Sequence, residues 1–171
     1  MKMTIKFAAK DDLDSVSKLY VHNLKTTYKG LLSDKYLNSL TVEGAKSRWK
    51  SYLSEEGNRI WIALNNGELL GFAAGKEDEE FEKTWYLDSL HVSETARGKG
   101  IGTLLIKTMG RYALDNGYGA MTICVVKGNE KAKSLYLKLG AKPYKAFWDN
   151  FANTSANSEK LIWRDIKVFN L

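Results

Sequence analysis

The chain has 171 residues, of which 44% are hydrophobic and 27% charged, and its formal net charge at pH 7 is +6. This length and composition predict one domain over residues 1–171, with a core that needs neither disulfides nor a structural metal. The apolar runs are short and interrupted by charge, so we predict no transmembrane helix. The N-terminal residues alternate as in a strand and lack the apolar region of a signal peptide, so we expect a cytoplasmic protein.

The predicted elements form a mixed α/β pattern of the α+β type. Strands are predicted, in chain order, at residues 2–8, 59–64, 69–75, 84–92, 120–126, 142–148 and 160–169. Helices are predicted from Asp11 or Asp12 through Leu24, from Ser33, from Thr41 to about Leu53, and over residues 100–116 and 130–139. The order β-α-α-β-β-β-α-β-α-β-β predicts a mixed, mainly antiparallel sheet flanked by helices.

Three connections carry their own signals. Asn65-Asn66-Gly67-Glu68 is typical of a hairpin turn. The acidic run Glu77–Glu80 is predicted to be a loop, either a solvated one or one that attracts a cationic amine. The segment Asn150–Ser158 is predicted to be the loop that joins the last two strands.

The positive charge does not indicate a nucleic-acid partner. Lys and Arg are scattered along the chain without a dense basic run or a nucleic-acid-binding motif. Solubility alone explains the charge, although a basic surface would also suit an anionic ligand. Nucleic acid and membrane are therefore not among the predicted partners, and a homodimer stays open.

The cysteine and histidine residues do not predict a metal site. Cys124 is the single cysteine and lies in an apolar run, where a core thiol is the default over a nucleophile. His22 and His91 are far apart and have no companions at metal-ligand spacing. We therefore predict neither a metal site nor a covalent acyl-enzyme on Cys124.

The most informative segment is Leu90–Leu105, in which a strand pattern enters a Gly-rich turn and then an amphipathic helix. Arg97, Gly100 and Gly102 fit the spacing R/Q-x-x-G-x-G. Such a turn aims backbone N–H groups at one point at the positive end of a helix, which suits a phosphate or pyrophosphate. It is neither a P-loop nor a Rossmann G-x-G-x-x-G, whose third glycine falls here on Thr103. A strand–helix loop without a ligand is the alternative.

Two segments together resemble the GNAT acyltransferase superfamily. The turn resembles its acetyl-CoA signature, and Asn129–Ala141 resembles its later motif, a helix that opens with Asn, carries a Tyr and ends in Leu-Gly. The resemblance implies the GNAT fold, acetyl-CoA as co-substrate without a metal, and direct transfer of an acetyl group to a primary amine in a ternary complex. The acceptor would be a small molecule or a peptide. A non-catalytic acyl-CoA-binding sensor is the alternative.

The resemblance also assigns cofactor contacts. It places the pantetheine arm along a strand that is splayed from its neighbour, with the N–H of Leu90 or of a neighbour on the thioester carbonyl. Asn129 matches the family's cofactor-binding Asn, with a helix N-cap as its alternative role. The residues expected to bind the cofactor are Leu90, His91, Val92, Arg97, Gly98, Lys99, Gly100, Ile101, Gly102, Thr103 and Asn129.

The catalytic and acceptor residues are less sharply defined. Tyr136 matches the family tyrosine near the sulfur and is the candidate general acid, with core packing as its alternative. Asp88 is the candidate base and Glu82 a second option, while some relatives have a carboxylate where Tyr86 stands. Asp88 as a plain sheet-edge charge and proton transfer through water stay open. Aromatic residues are candidates for an acceptor pocket or for the core: Tyr28, Trp49, Trp85, Phe147 and Trp148.

Overall fold

A computed structural model, which describes residues 2–151 and 154–170, contains one seven-stranded sheet of order β1-β2-β3-β4-β5-β7-β6. The strands are β1 (Met3–Phe7), β2 (Arg59–Asn65), β3 (Glu68–Glu77), β4 (Thr84–Val92), β5 (Ala120–Val126), β6 (Lys142–Phe151) and β7 (Thr154–Trp163). The α-helices are α1 (Leu13–Thr27), α2 (Asp34–Ser39), α3 (Val42–Ser54), α4 (Ile101–Asp115) and α5 (Glu130–Lys138). Short 3₁₀ turns span Lys10–Asp12, Glu94–Ala96 and Ile166–Phe169.

The pairing of the strands confirms the predicted fold class. Neighbouring strands run antiparallel except for β4 and β5, which are parallel within the described part of the chain. A parallel pair needs a long crossover, and here α4 supplies it between β4 and β5. The result is the mixed, mainly antiparallel α/β sheet flanked by helices that the sequence predicts.

Helices cover both faces of the sheet. On one face α1 and α3 pack on β2 and β3 through a core centred on Val16, Trp49 and Phe72. On the other face α4 packs through Leu105 and Met109, together with the C-terminal 3₁₀ turn. None of the helices in residues 2–151 and 154–170 combines the length and apolarity needed to cross a membrane.

Local capping explains where several helices begin. Ser33 accepts the N–H of Tyr36 at 3.2 Å, and Thr41 accepts the N–H of Gly44 at 3.0 Å, so both act as N-caps. Of the two candidates Asp11 and Asp12, Asp12 occupies the N-cap position of α1, but its side chain makes no capping hydrogen bond to that helix. Its carboxylate accepts the N–H of Ala9 at 2.8 Å, because a 3₁₀ turn precedes the α-helix.

The strands β4 and β5 stay together for only part of their length. Residues Thr84–Leu87 of β4 pair with Ala120–Ile123 of β5. Beyond this point, within the described residues, β4 stays paired only with β3, and β5 only with β7. Opposite β3, the register shifts so that Ala74 faces Ser89 and Gly75 faces Leu87, which leaves Asp88 as a bulge residue. Bulges re-aim side chains and increase strand twist, so the bulge lies where the two strands begin to separate.

The predictions for the C-terminal hairpin are partly wrong. The expected loop Asn150–Ser158 is mostly strand, because β6 extends to Phe151 and β7 begins at Thr154; residues 152 and 153 lie outside the described residues. This polar stretch has the composition of a loop, yet Ala156 and Ser158 are buried on the inner face. The predicted strand 160–169 ends at Trp163, and Ile166–Phe169 forms a 3₁₀ turn packed beneath α4.

The acidic run Glu77–Glu80 is only partly the solvated loop that the sequence suggested, because Glu77, Glu79 and Glu80 are exposed but Asp78 is buried. The Asp78 carboxylate is buried, accepts hydrogen bonds from Thr122 and from the N–H of Glu80, and pairs with Lys160 at 2.9 Å. Lys160 also pairs with Glu80 at 2.8 Å. These contacts attach the loop to β5 and β7, a long-range arrangement that composition does not reveal.

The cluster around Asp78 makes a stability prediction. Removal of one partner of a buried ion pair typically costs about 3–5 kcal/mol, and Glu80 stays available to Lys160, so Asp78→Ala should lower the unfolding free energy by about 3 kcal/mol. Glu79→Ala is the matched control, since Glu79 is 87% exposed in its pair with Lys76 and should change stability by less than about 0.5 kcal/mol. Urea denaturation measures both. Equal effects of the two substitutions would contradict a structural role for Asp78.

Candidate active site

A cavity of about 920 Å³ opens where β4 and β5 separate. Its walls come from β4, the Gly-rich turn before α4, α5, α1 and the end of β6. Side chains and backbone from both predicted motifs line it, including Leu90, Gly100, Asn129 and Tyr136. The structure therefore brings into one cavity segments that lie about 40 residues apart in the chain.

The Gly-rich turn has the backbone geometry of an anion site. Gly98 and Gly100 have φ angles of +74° and +81°, and a Cβ at either position would meet no atom within 4 Å. At the start of α4, the first backbone N–H with a described backbone acceptor is that of Leu104, which donates to the Gly100 carbonyl at 3.0 Å. The N–H groups of residues 98–103 therefore have no described backbone acceptor. They stand at the positive end of α4, which fits a phosphate group.

The side chain of Arg97 is used within the protein. Its guanidinium donates to the Asn23 side-chain oxygen at 3.2 Å and to the Val92 carbonyl at 3.3 Å. Asn23 in turn donates to the same carbonyl at 3.1 Å. Arg97 thus holds the turn against α1 and the end of β4. The sequence analysis missed Asn23, although an Asn on the apolar face of α1 was a signal that could have identified it.

The free edge of β4 faces the cavity. Ser93 donates its N–H to Leu70 on β3 at 2.8 Å. Because the polar backbone groups of an antiparallel strand alternate in direction, Ser89 and His91 also point toward β3, whereas Leu90 and Val92 point toward the gap. Val92 has its carbonyl bonded by Asn23 and Arg97, which leaves the N–H and C=O of Leu90 available at the cavity.

The ring of His91 is half-buried at the cavity wall, where it packs on aromatic side chains. Its ring stacks on Phe72 with 5.2 Å between centroids and meets the edge of Tyr20 at 5.3 Å. Burial lowers the pKa of His91 to about 3, so the imidazole is neutral at physiological pH. The side chains of Leu90 and Val92 point the other way, toward the start of α4 at Gly102.

Asn129 and Tyr136 lie on α5 and line the same cavity. Asn129 occupies the N-cap position, but its side chain makes no capping hydrogen bond and lies next to the Tyr28 hydroxyl. Tyr136 is 6% exposed, packs on Trp163 and has its pKa raised by burial, so its hydroxyl stays protonated. Among the described residues this hydroxyl has no hydrogen-bond partner within the protein.

Two carboxylates line the cavity. Asp88, the bulge residue, has its pKa raised by burial, against the lowering effects of Arg48, Lys76 and the neighbouring Tyr52 hydroxyl. Asp149 on β6 also has its pKa raised by burial. The sequence analysis missed this residue because the predicted strand ended at residue 148 and a loop was expected to follow. Glu82, the second candidate base, is exposed and does not line the cavity.

Cys124 lines the cavity beside Tyr86 instead of lying wholly in the core as expected. Burial raises the pKa of its thiol, so little nucleophilic thiolate is present at neutral pH. In residues 2–151 and 154–170, no group of three or more His, Cys, Asp or Glu side chains is arranged to hold a metal ion.

The aromatic residues proposed for an acceptor pocket divide between core and surface. Trp49 and Trp85 are fully buried in the two core clusters, so they are core residues. Trp148 is 70% exposed on the outer face of β6, and neither it nor Phe147 lines the cavity. Tyr28 does line the cavity, together with Tyr20, Tyr36 and Phe151.

Comparison with known proteins gives a consistent set of relatives. The family model described as Acetyltransferase (GNAT) family matches residues 24–141. An uncharacterized N-acetyltransferase of Bacillus subtilis, YuaI, is 26% identical over 97% of this chain and 95% of its own length. An uncharacterized N-acetyltransferase of Archaeoglobus fulgidus is 30% identical over 78% of this chain and 89% of its own.

The fold also matches solved structures. The PaiA N-acetyltransferase from Thermoplasma acidophilum, crystallised in complex with coenzyme A, superposes with a TM-score of 0.73 at 21% identity. The match covers 94% of this chain and 99% of that protein. At this identity the likeness concerns the fold, and it extends over nearly the whole of both chains.

Proposed function

Because the chain belongs to the acetyltransferase (GNAT) family, we propose that it transfers an acetyl group from acetyl-CoA directly to a primary amine while both substrates are bound. The observation that carries this proposal is the single cavity at the separation of β4 and β5. It is lined by a helix start whose N–H groups have no described backbone acceptor, a free strand edge, a protonated tyrosine and a half-buried carboxylate. Bound acetyl-CoA supplies the acetyl group as an activated thioester.

We propose that the Gly-rich turn binds the pyrophosphate. The N–H groups of Gly98, Lys99, Gly100, Ile101, Gly102 and Thr103 form the donor set, and Arg97 fixes the turn through Asn23. The edge of β4 at Leu90, His91 and Val92 would bind the pantetheine arm, and the side-chain amide of Asn129 faces the same space.

Three groups of the chain would act on the reacting atoms. The N–H of Leu90, which points into the gap, would donate to the thioester carbonyl oxygen as negative charge develops there. Asp88 would accept the proton of the acceptor ammonium and so deliver a neutral amine. Tyr136 would donate to the departing sulfur. Its raised pKa keeps the hydroxyl protonated and favours hydrogen-bond donation over full loss of its proton.

The state of Cys124 supports direct transfer. A covalent acyl-enzyme would need a thiolate, and burial beside Tyr86 raises the pKa of this thiol. We also propose that residues 1–171 form one domain, since a single sheet takes strands from Met3 to Trp163. The cytoplasmic location, the lack of a nucleic-acid or membrane partner and the candidate homodimer stay predictions.

Gly100→Val should abolish acetyl-CoA binding. A side chain at this position would project into the space where the anion binds, and a β-branched residue is strained at a φ of +81°. Gly117→Val is the matched control, because Gly117 has a φ of +87°, equally open surroundings and a position at the opposite end of α4. Calorimetric titration of both folded variants with acetyl-CoA is the measurement. Unchanged affinity in Gly100→Val would refute the assignment of this turn.

Tyr136→Phe should lower kcat by about 10²-fold and leave the affinity for acetyl-CoA nearly unchanged. Loss of a hydrogen bond to a charged group costs about 1.5–3 kcal/mol, and general acid catalysis is typically worth about 10²–10⁴-fold. The ring is kept, so a packing role predicts almost no loss. Tyr112→Phe, at a tyrosine that packs on Trp61 and Trp85, is the control. If Tyr136→Phe turned over at the wild-type rate while the chemical step was rate-limiting, Tyr136 would have a packing role and not a catalytic one.

Asp88→Asn should lower kcat/KM by at least about 10²-fold near neutral pH. A base acts when deprotonated, and burial raises the pKa of Asp88, so wild-type activity should fall as pH drops through a value above the ordinary 3.8 for Asp. In Asp88→Asn the limb set by Asp88 should be replaced by a rise in activity at higher pH, where the amine is neutral by itself. Glu82→Gln is the control. An unchanged pH profile in Asp88→Asn would exclude Asp88 as the base.

A further inference from the structure

Arg48 is an exposed cation at the cavity wall, and among the described residues no carboxylate lies within ion-pair distance of it. It lies on α3, and its Nη1 donates to the Tyr20 hydroxyl at 2.7 Å. Its guanidinium lies over the rings of Tyr20 and Trp49, at 5.3 and 5.0 Å from their centroids. The ion pairs described in residues 2–151 and 154–170 do not include Arg48. The guanidinium is thus held in place while its other N–H groups stay available.

Tyr20 and Tyr36 extend this donor set. The Tyr20 oxygen accepts from Arg48, which leaves the hydroxyl proton of Tyr20 for another acceptor. Burial raises the pKa of Tyr20 to about 12, so that proton is present at physiological pH. Tyr36 is half-buried on the same wall. Burial raises the pKa of its hydroxyl, and the positive charge of Arg48 opposes that rise. We call Arg48, Tyr20 and Tyr36 the Arg48 donor set. A guanidinium with neighbouring hydroxyl donors is typical of carboxylate recognition.

The wall next to the Arg48 donor set is apolar. Leu32 is buried in a cluster with Leu37, Val126 and Ala156, against which Tyr28, Tyr36 and Phe151 pack. Leu32, Tyr28 and Phe151 also line the cavity. The cavity therefore offers a half-buried carboxylate at Asp88, a donor set for an anion at Arg48, and an apolar surface between α1, α2 and β6.

We propose that the acceptor is a small amine that also carries a carboxylate and an apolar substituent, with the carboxylate bound by Arg48 and the amine directed to Asp88. This inference rests on the proposed acetyltransferase function and names the substrate class of the same cavity. Arg48, Tyr20 and Tyr36 would set specificity, and the apolar wall would receive the substituent.

A polyamine is the competing acceptor, because Asp88 and Asp149 both line the cavity. Arg48 disfavours it. Its guanidinium is close enough to Asp88 to oppose the rise in the pKa of that carboxyl, so a second ammonium group would approach a fixed positive charge. An acceptor with one ammonium and one carboxylate meets complementary charges at both ends.

The test uses three ligands with the same aromatic ring: L-phenylalanine, L-phenylalaninamide and phenethylamine. Each is titrated calorimetrically into protein saturated with coenzyme A, so binding is read without turnover. Hydrogen bonds to charged groups are worth about 1.5–3 kcal/mol, so L-phenylalanine should bind at least about 10-fold more tightly than the other two. The triplet γ-aminobutyrate, its amide and propylamine repeats the comparison at a longer spacing between amine and carboxylate.

Variants then assign any preference to Arg48. Arg48→Gln should reduce the carboxylate preference to about unity by weakening the binding of the carboxylates, while the ligands without a carboxylate should keep or gain affinity because a positive charge is removed near them. Lys50→Gln removes the same charge from an exposed position on α3 that does not line the cavity, and it should keep the preference. Circular dichroism confirms that each variant is folded. If Arg48→Gln does not fold, the wild-type affinity ratios decide the question alone.

The outcomes separate this inference from the proposed function. Equal or weaker binding of the carboxylates in both triplets, a preference that survives in Arg48→Gln, or tighter binding of spermidine would overturn the inference. Thiol release from acetyl-CoA with any amine would still support the acetyltransferase function in those cases. Conversely, a carboxylate preference lost in Arg48→Gln, without thiol release from any amine, would support the binding site and contradict the proposed catalysis.

Discussion

The separation of β4 from β5 is the constraint on which the rest of the site depends. Two strands that part inside a sheet leave backbone N–H and C=O groups without ladder partners, and such groups are costly when buried. Here the protein satisfies one of them itself, since Asn23 and Arg97 both donate to the Val92 carbonyl. The neighbouring groups of Leu90 open onto the cavity. The strand edge is therefore a ready donor–acceptor pair for an extended amide ligand.

Burial acts on the titratable groups of the cavity in one direction, toward their neutral forms. It raises the pKa values of Asp88, Cys124 and Tyr136 and lowers that of His91. Burial therefore determines which of these groups are neutral and how basic or nucleophilic each one is. His91 is held neutral at the cavity wall, the thiol of Cys124 is a poor nucleophile, and Asp88 becomes a stronger base than an exposed aspartate.

Features encoded by neighbouring residues could be predicted from the sequence. The Gly-rich turn, the caps at Ser33 and Thr41, and the strand Ala120–Val126 depend on local backbone preferences and periodicity, and the structure has them where they were expected. The splay of β4 was accessible only through the family resemblance, since pairing in space is not visible in one strand's sequence.

Features that depend on distant partners could not be predicted in this way. Asp78 reads as part of a solvated acidic run, yet Thr122 and Lys160 come to it from two other strands. Asn150–Ser158 has the composition of a loop, but pairing with the rest of the hairpin makes most of it strand. Arg48 reads as an ordinary helix-surface cation, and only the packing of α3 on Tyr20 brings it to the cavity.

Helix α1 connects the two halves of the cavity physically. Tyr20 and Asn23 are three residues apart and so lie on neighbouring positions of one helical face. On one side of the cavity the Tyr20 hydroxyl accepts a hydrogen bond from Arg48. On the side of the Gly-rich turn, Asn23 forms hydrogen bonds with Arg97 and with the end of β4. The position of this one helix therefore relates the Gly-rich turn to Arg48. Because Tyr20 and Asn23 are both buried side chains of the same helix, the two sides of the cavity are held in a fixed relation to each other.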